Sequence, residues 1–229
     1  MEKNKAGILI VDKPQGKTSF SLVKALRKKL DVKKIGHAGT LDPMATGVMI
    51  LLIGKKYTRL SDTFLNKDKE YTCEITLGKA TDTFDREGKV IFCNDSIPQK
   101  SALEEAILTF QGEIEQTPPM FSAKKVKGQK LYSLARQGKT IERKPSSICI
   151  ETTLLHYEYP FITLHITCSK GTYIRSIAND LGEKLKCGAH LSNLKRTRSG
   201  PFTLDDSFDG NLLFKDTTDA NTILEHVKT

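Results

Sequence analysis

Asp42 is a carboxylate in the glycine-rich stretch GHAGTLDP, residues 36–43 of this 229-residue chain. The following proline keeps its backbone extended and outside a helix interior, and the nearby glycines permit a tight turn that a ligand can approach closely. A carboxylate presented in this way could act as a nucleophile or exchange a proton. Aspartate before proline is also a common turn former, so the stretch alone leaves both interpretations open.

Three other side chains could act together with such a carboxylate. Arg175, in SKGTYIRS, carries a guanidinium that could pair with a carboxylate or a phosphate, or could be a solvated charge on a helix. His37 is flanked by small residues and suits stacking on a base, whereas Tyr71 begins a strand on its apolar side and could simply pack in the core. Taken singly, each of these signals is weak.

The elements that must position these residues follow from the spacing of apolar side chains. Apolar residues at helical spacing over 19–30 predict a helix with a basic outer face, and their alternation over 71–77 predicts a half-buried strand. The run VMILLIG, residues 48–54, is a buried strand or a short helix. Further strands are predicted at 7–11, 148–155 and 161–168, and further helices at 101–111, 131–137 and 173–186. Because no steady βαβ rhythm appears, the order of elements predicts a mixed α+β protein.

Basic residues are concentrated in two blocks, and the chain carries a formal net charge of +9. This segregation favours a binding face for a polyanion, nucleic acid above all, over a surface that is merely soluble. The first block comprises Lys13, Lys17, Lys24, Arg27, Lys28, Lys29, Lys33 and Lys34, and the second comprises Lys124, Lys125, Lys127, Lys130, Arg136, Lys139, Arg143 and Lys144. The basic segment 122–145 is also poor in apolar residues and is expected to lie outside the core.

No metal site and no cofactor are expected. The five cysteines are odd in number and form no CxxC pair, which disfavours a zinc site or a disulfide framework and favours reduced thiols in the cytoplasm. Asp82, Asp85 and Glu87 lack the spacing of a calcium loop and its terminal glutamate. No apolar run is long enough to span a bilayer.

Five longer stretches together resemble the TruB-type tRNA pseudouridine synthases. The resemblance covers nearly the whole chain in order, and five motifs at matching spacings make it highly specific. The stretches are DKPQGKTS (12–19), GHAGTLDPMATGVMILLIGKKYT (36–58), KEYTCEITLGKATDTFDREG (69–88), GEIEQTPPMFSAKKVKGQKLYSLARQG (112–138) and CSKGTYIRSIANDLGEKLKCGAHLSNLKRTRSG (168–200).

This resemblance implies a pseudouridine-synthase fold, with a central mixed, mostly antiparallel sheet flanked by helices. It also implies isomerisation of uridine 55 in the T-loop of tRNA, without a cofactor. Asp42 is then the carboxylate that attacks C1′, adds to C6 of the uracil or removes a proton from C2′. Arg175 is expected to pair with Asp42, Asp85 to help hold Arg175, and Tyr71 to stack on the flipped uracil and assist proton transfer.

The resemblance also suggests how RNA is bound. His37, Tyr173 and Leu194 fall on positions that contact the target nucleotide or fill the gap that it leaves. The basic segment falls where the family has an insertion that grips the T-stem-loop by shape and phosphate contacts. The lysines expected to contact RNA are Lys13, Lys124, Lys125 and Lys130.

A single catalytic domain, residues 1–229, acting as a monomer is expected. About thirty residues follow Gly200, too few for the C-terminal PUA domain that many family members carry, since lone domains need roughly 40 residues or more. Affinity for the acceptor stem is therefore expected to be weak.

Two other functions fit parts of the pattern. Segregated charge alone would suit a non-catalytic tRNA-binding or tRNA-folding protein, although such a protein has no need of Asp42. A metal-dependent nuclease that uses Asp82 and Asp85 is the other alternative.

Overall fold

The computed structural model describes residues 5–126 and 128–229, and its elements are numbered in chain order. The strands are β1 (Gly7–Lys13), β2 (Ile35–Ala38), β3 (Thr46–Ile53), β4 (Lys69–Leu77), β5 (Lys79–Thr81), β6 (Val90–Cys93), β7 (Gly112–Gln116), β8 (Lys125–Val126), β9 (Gln129–Lys130), β10 (Ser146–Glu158), β11 (Phe161–Cys168), β12 (Ala189–Ser199), β13 (Phe202–Thr203) and β14 (Phe208–Asp209). The helices are α1 (Ser19–Leu30), α2 (Lys55–Thr58), α3 (Ser61–Leu65), α4 (Lys100–Leu108), α5 (Leu131–Ala135), α6 (Ile174–Lys184) and α7 (Ala220–Leu224), with 3-10 helices at Leu204–Asp206 and Gly210–Phe214.

The chain divides into two compact units. The first runs to Tyr71 and resumes from Leu194 to Thr229, and the second is Thr72–Asn193. Each unit combines strands with helices, which confirms the predicted α+β class. The expectation of one catalytic domain stays a prediction.

In the first unit the strand order is β14-β1-β3-β12. β1 is antiparallel to β3 along its whole length, ending with Lys13 opposite Gly47. On its other side, β3 pairs with β2 over Ile50–Ile53 and with β12 in parallel at its beginning, where Gly47 lies opposite Arg196. The loop from β2 to β3 therefore leaves the sheet where β12 replaces β2 as the neighbour of β3.

Neighbours on both sides of β3 explain why residues 48–54 show no polar alternation. Each side chain from Val48 to Ile53 is fully buried, so both faces of the strand are covered. Of the two predicted alternatives, a strand and a short helix, the structure shows the strand. The predicted helix over 19–30 is confirmed as α1, which begins after Thr18, whose hydroxyl accepts the N–H of Ser21.

In the second unit the strand order is β4-β11-β10-β7, and β11 and β7 are each antiparallel to β10. Alternate residues of β4 are buried, as predicted for residues 71–77. The short pairs β5–β6 and β8–β9 form separate two-stranded sheets. Among the residues that the structure describes, no helix is long and apolar enough to cross a membrane.

Candidate active site

Asp42 lies between β2 and β3, in a turn that its own backbone closes. Its carbonyl accepts the N–H of Ala45 at 3.1 Å, and Pro43 occupies the second position of the turn, where its fixed φ is favourable. The Asp42 residue is half-buried, whereas Met44 and Ala45 are fully buried. Residues 39–45 are called the Asp42 loop below.

The backbone carbonyls of residues 41–45 all accept hydrogen bonds. Most of the donors come from the short stretch between β1 and the start of α1, within the same unit. The donors are Ser19 Oγ to Leu41 (3.0 Å), Ala45 N to Asp42 (3.1 Å), Gly16 N and Lys13 Nζ to Pro43 (2.8 and 3.2 Å), Gln15 Nε2 to Met44 (3.3 Å) and Lys13 Nζ to Ala45 (2.6 Å). The backbone on both sides of Asp42 is therefore fixed, as a preorganised reacting group requires.

Lys13 is placed differently from the prediction that it contacts RNA. Its side chain is 0% exposed, and its ammonium donates to the carbonyls of Pro14, Pro43 and Ala45. A buried ammonium needs several acceptors to offset its lost hydration, and these carbonyls supply them. The prediction is wrong for Lys13, because a side chain with no exposed surface is not available to a phosphate; it holds the Asp42 loop instead.

Arg196, on β12, holds the Asp42 loop from a second direction. Its guanidinium is buried, with Nη2 donating to the carbonyl of Gly39 at 3.0 Å and Nε donating to the carbonyl of Val48 at 2.7 Å. One planar group thereby joins the beginning of the loop to β3. Sequence reasoning missed Arg196. The sequence does hold one indication of its position. Arg196 lies two residues after Leu194, so both side chains are on the same, buried side of a strand.

His37 lies on β2 opposite Leu51 and is half-buried. Its Nδ1 atom is buried and makes no hydrogen bond within the part of the chain that the structure describes. Burial first, and then the positive charge of Arg196, hold the pKa of the His37 imidazole below its usual value of 6.5. A neutral imidazole suits contact with an uncharged base, and that contact stays a prediction.

Replacing Arg196 with methionine is expected to raise the pKa of His37 part of the way towards 6.5, because the positive charge is removed while the burial remains. NMR titration of the imidazole measures this change. Arg196→Lys is the matched control, since it keeps the charge and should leave the pKa near its wild-type value. An unchanged pKa in the methionine variant would contradict the assignment of Arg196 as a cause.

The same substitutions test whether Arg196 holds the loop. Both variants lose the guanidinium that donates to the carbonyls of both Gly39 and Val48. The amide hydrogens of the Asp42 loop should therefore exchange faster in both variants. The pKa of His37 is lower in the folded protein than in the unfolded chain, so protons bind preferentially to the unfolded chain. The free energy of unfolding of the wild type therefore decreases as the pH falls below about 6.5. The methionine variant should lose less stability over that pH range.

Tyr71 and Leu194 stand at the limits of the first unit, on β4 and β12. Both side chains are buried, at 7% and 6% exposure. Tyr71 belongs to the buried series of alternating residues on β4. Their predicted contacts with a bound nucleotide stay predictions.

Arg175 and Asp85 form an ion pair within the second unit. Arg175 Nη1 lies 3.4 Å from Asp85 Oδ2, and both side chains are less than a tenth exposed. The guanidinium also donates to the carbonyls of Thr83 at 3.3 Å and Phe121 at 2.9 Å. This geometry agrees with the expectation that Asp85 helps hold Arg175. The alternative of a solvated helix charge is wrong, because carbonyls and a carboxylate surround the buried guanidinium.

The acids proposed for a metal-dependent nuclease already have protein donors. Asp85 Oδ1 accepts the hydroxyl of Thr83 at 2.7 Å and the N–H of Glu87 at 3.0 Å, and Asp82 Oδ1 accepts the N–H of Lys89 at 2.8 Å. In residues 5–126 and 128–229, no three His, Cys, Asp or Glu side chains cluster around a common point. An aspartate that is paired with a guanidinium is a poor cation ligand, so this donor set does not favour the nuclease.

Tyr173 precedes α6 and is held through its backbone by one side chain. Gln116 donates its amide N–H to the Tyr173 carbonyl at 3.1 Å and accepts the Tyr173 N–H at 2.8 Å. The contact fixes the beginning of the helix that carries Arg175. Gln116 was not identified from the sequence, since a lone glutamine on a strand gives no signal of such a role.

The basic segment forms a β8–β9 hairpin followed by α5. Lys124, Lys125 and Lys130 are exposed on it, and Lys127 lies outside the described residues. Lys130 donates to the hydroxyl of Tyr132 at 3.3 Å, and this hydrogen bond is the main cause that lowers the pKa of Tyr132. The lysines are therefore accessible to a phosphate backbone, and their contacts with RNA stay predictions.

Comparisons with known proteins indicate one family. A family model described as TruB family pseudouridylate synthase (N terminal domain) matches residues 27–174, and another, described as tRNA pseudouridylate synthase B C-terminal domain, matches residues 175–224. The chain is 63% identical over 204 residues to tRNA pseudouridine synthase B of Protochlamydia amoebophila (strain UWE25), covering 89% of this chain and 78% of that protein. It is 54% identical over 220 residues to the protein of the same name from Chlamydia felis (strain Fe/C-56), covering 96% and 94%.

A solved structure has the same fold. A chain from a Cbf5-Nop10-Gar1 complex superposes with a TM-score of 0.74 at 26% identity, covering 98% of this chain and 60% of that chain. The present chain thus spans about three fifths of the length of that structural relative. Together with the family models, this likeness confirms the predicted pseudouridine-synthase fold.

Proposed function

This chain belongs to the TruB family of pseudouridylate synthases and forms pseudouridine in tRNA, and from this premise we propose that its target is uridine 55 of the T-loop and that Asp42 is the reacting carboxylate. The observation that carries the assignment is the Asp42 loop, in which donors hold every backbone carbonyl from residue 41 to residue 45. A half-buried carboxylate on such a loop can act without reorganising its support.

The proposed reaction is an isomerisation that conserves the atoms of the nucleotide, apart from the exchange of one proton with water. The N1–C1′ bond breaks, the uracil turns within the site, and a C5–C1′ bond forms. The C5 proton leaves to solvent, and N1 gains a proton. Asp42 begins the sequence by attacking C1′, adding to C6 or removing a proton from C2′, and all three routes need a carboxylate beside the nucleoside.

The target base has to leave its stack before Asp42 can reach it. Tyr71 is proposed to stack on the flipped uracil, and the neutral imidazole of His37 to contact the nucleotide. The family resemblance further assigns to Arg175 the task of keeping Asp42 ionised, with Asp85 holding the guanidinium. The basic segment is proposed to bind the T-arm through phosphate contacts, with the protein acting as a monomer in the cytoplasm.

A tritium-release assay tests the function. A T-arm stem-loop that carries [5-³H]uridine at position 55 is expected to release its tritium to water, one atom per RNA, because C5 exchanges its hydrogen for the bond to C1′. The matched control carries the label at another uridine of the same RNA and should release none. Lack of release from position 55 by folded protein would contradict the proposal.

The same assay separates the alternatives. A non-catalytic tRNA-binding protein would bind the RNA with strong salt dependence and release no tritium. A metal-dependent nuclease would shorten the RNA and stop in the presence of a strong chelator. We expect tritium release from RNA of unchanged length, with and without the chelator.

A further inference from the structure

The outer side of α1 and the residues beside it form an exposed surface that the proposed reaction does not use. Phe20, Lys24 and Lys28 follow one another at a spacing of four, so they lie on one face of the helix. The Phe20 residue is 51% exposed, and both lysines are exposed. Lys17, just before the helix, and Phe214 extend this surface, and these five residues are called the α1 surface.

Cations and aromatic rings are combined on the α1 surface. Lys24 Nζ lies 5.3 Å from the centre of the Phe20 ring, and Lys17 Nζ lies 4.7 Å from the centre of the Phe214 ring. Rings at these distances orient the ammonium groups without neutralising them. Within the described residues, no carboxylate forms an ion pair with Lys17, Lys24 or Lys28. The surface therefore keeps its full positive charge.

Other basic side chains of α1 have structural partners. Lys29 donates to the carbonyls of Lys215 and Thr218, both at 2.7 Å, and Arg27 donates to the carbonyl of Ile35 at 2.7 Å. The helix thus has two kinds of basic residue. One kind holds neighbouring segments in place, and the other kind, on the α1 surface, points to solvent with no such task.

Two acids line the cavity beside the α1 surface, Asp216 and Asp219. Asp219 Oδ1 accepts the N–H and the hydroxyl of Thr222, both at 2.8 Å, and so caps α7. Asp216 is exposed and faces a cavity that Lys24 and Lys28 also line. The three lysines of the α1 surface outnumber these two carboxylates, so the group as a whole remains positively charged.

We propose that the α1 surface is a second phosphate-binding surface for the tRNA substrate. The inference rests on the proposed function, which supplies the polyanion. Exposed lysines without ion pairs, two of which lie beside aromatic rings, suit the sugar-phosphate backbone of RNA. An anionic membrane is a poorer partner, because the aliphatic residues of α1, Leu22, Val23, Leu26 and Leu30, are at most 1% exposed and cannot enter a bilayer, which leaves Phe20 as the exposed large apolar side chain of this helix.

The test replaces Lys17, Lys24 and Lys28 together with glutamine and measures the Kd of complete tRNA at several salt concentrations. The expected Kd is about tenfold higher at 100 mM salt, and the slope of log Kd against log salt should fall by about two to three, since each lost phosphate contact removes about one. Tritium release at saturating tRNA should be unchanged, because none of the three residues belongs to the Asp42 loop or its supports.

A charge-matched control removes three exposed lysines from other places, Lys89, Lys100 and Lys184. If this control raises the Kd and lowers the slope as much as the first variant does, the effect is one of overall charge and the proposal fails. An unchanged Kd in the first variant would also overturn it, leaving an acidic protein as the partner to be sought. Failure of the proposed function appears differently, as wild-type protein that binds tRNA but releases no tritium.

Discussion

Asp42→Asn is expected to lower tritium release from position 55 by at least about a thousandfold, while the Kd for tRNA changes by no more than about threefold. The amide has nearly the shape of the carboxylate but cannot act as a nucleophile or base at neutral pH. The Asp42 loop should persist, because its supports are hydrogen bonds to backbone carbonyls, which the substitution leaves in place. Single-turnover release and filter binding measure the two quantities.

Two further variants sharpen this result. Asp42→Glu keeps the charge but moves it by one methylene group, and we expect a loss of about a hundredfold, since a shift of about 1 Å from productive geometry costs this much. Asp68→Asn is the matched control, because it removes one exposed carboxylate of the same unit. It should leave release within about twofold of the wild type. Asp42→Asn with activity within tenfold of the wild type would show that another group performs the chemistry.

Local spacing predicted the elements well where one side of an element is buried. The helix over 19–30 and the strand over 71–77 each show a single apolar face, and both occur as predicted. β3 was ambiguous for a physical reason. It has a strand neighbour on each side and both of its faces are buried, so no residue from Val48 to Ile53 is polar. The alternation of polar and apolar residues that would distinguish a strand from a helix is therefore absent.

In the candidate site, too, some residues could be predicted from the sequence and others could not. The motif resemblance predicts Asp42 as the reacting carboxylate, which stays a prediction, but the sequence did not reveal the residues that hold its loop. The predicted phosphate contact of Lys13 is wrong because a pattern of charges in the sequence does not show which lysines are buried, whereas three carbonyls make the burial of Lys13 possible. Arg196 was missed because its partners Gly39 and Val48 are about 150 residues away in the chain. Such contacts depend on strand register, which one sequence does not specify.

Gly47→Ala is expected to lower the free energy of unfolding by about 2–6 kcal/mol, the sum of backbone strain and overpacking. Gly47 has φ +103°, a conformation that side chains with a Cβ rarely adopt. An added Cβ would overlap the carbonyl oxygen of Arg196 and lie 2.7 Å from its nitrogen. These are backbone atoms of the paired strand β12, so they cannot rotate away. Urea denaturation measures the loss.

Gly16→Ala is the control that separates the two causes. Gly16 also has a positive φ, +76°, but nothing lies within 4 Å of an added Cβ. It should therefore show the strain alone, about 1–3 kcal/mol. Equal losses in the two variants would mean that the close approach of β3 and β12 adds nothing to the requirement for glycine at position 47.

Those Gly47→Ala molecules that remain folded should also be less active than folded wild-type protein. Separating β3 from β12 moves Arg196 relative to Val48 and Gly39, and so loosens the contact that joins the Asp42 loop to the sheet. Tritium release per folded molecule, measured well below the unfolding temperature, should fall at least about tenfold. In Gly16→Ala the N–H that donates to Pro43 is retained, so release per folded molecule should stay near the wild type. If both variants released tritium at the wild-type rate, the strand contact at Gly47 would support the fold without positioning Asp42.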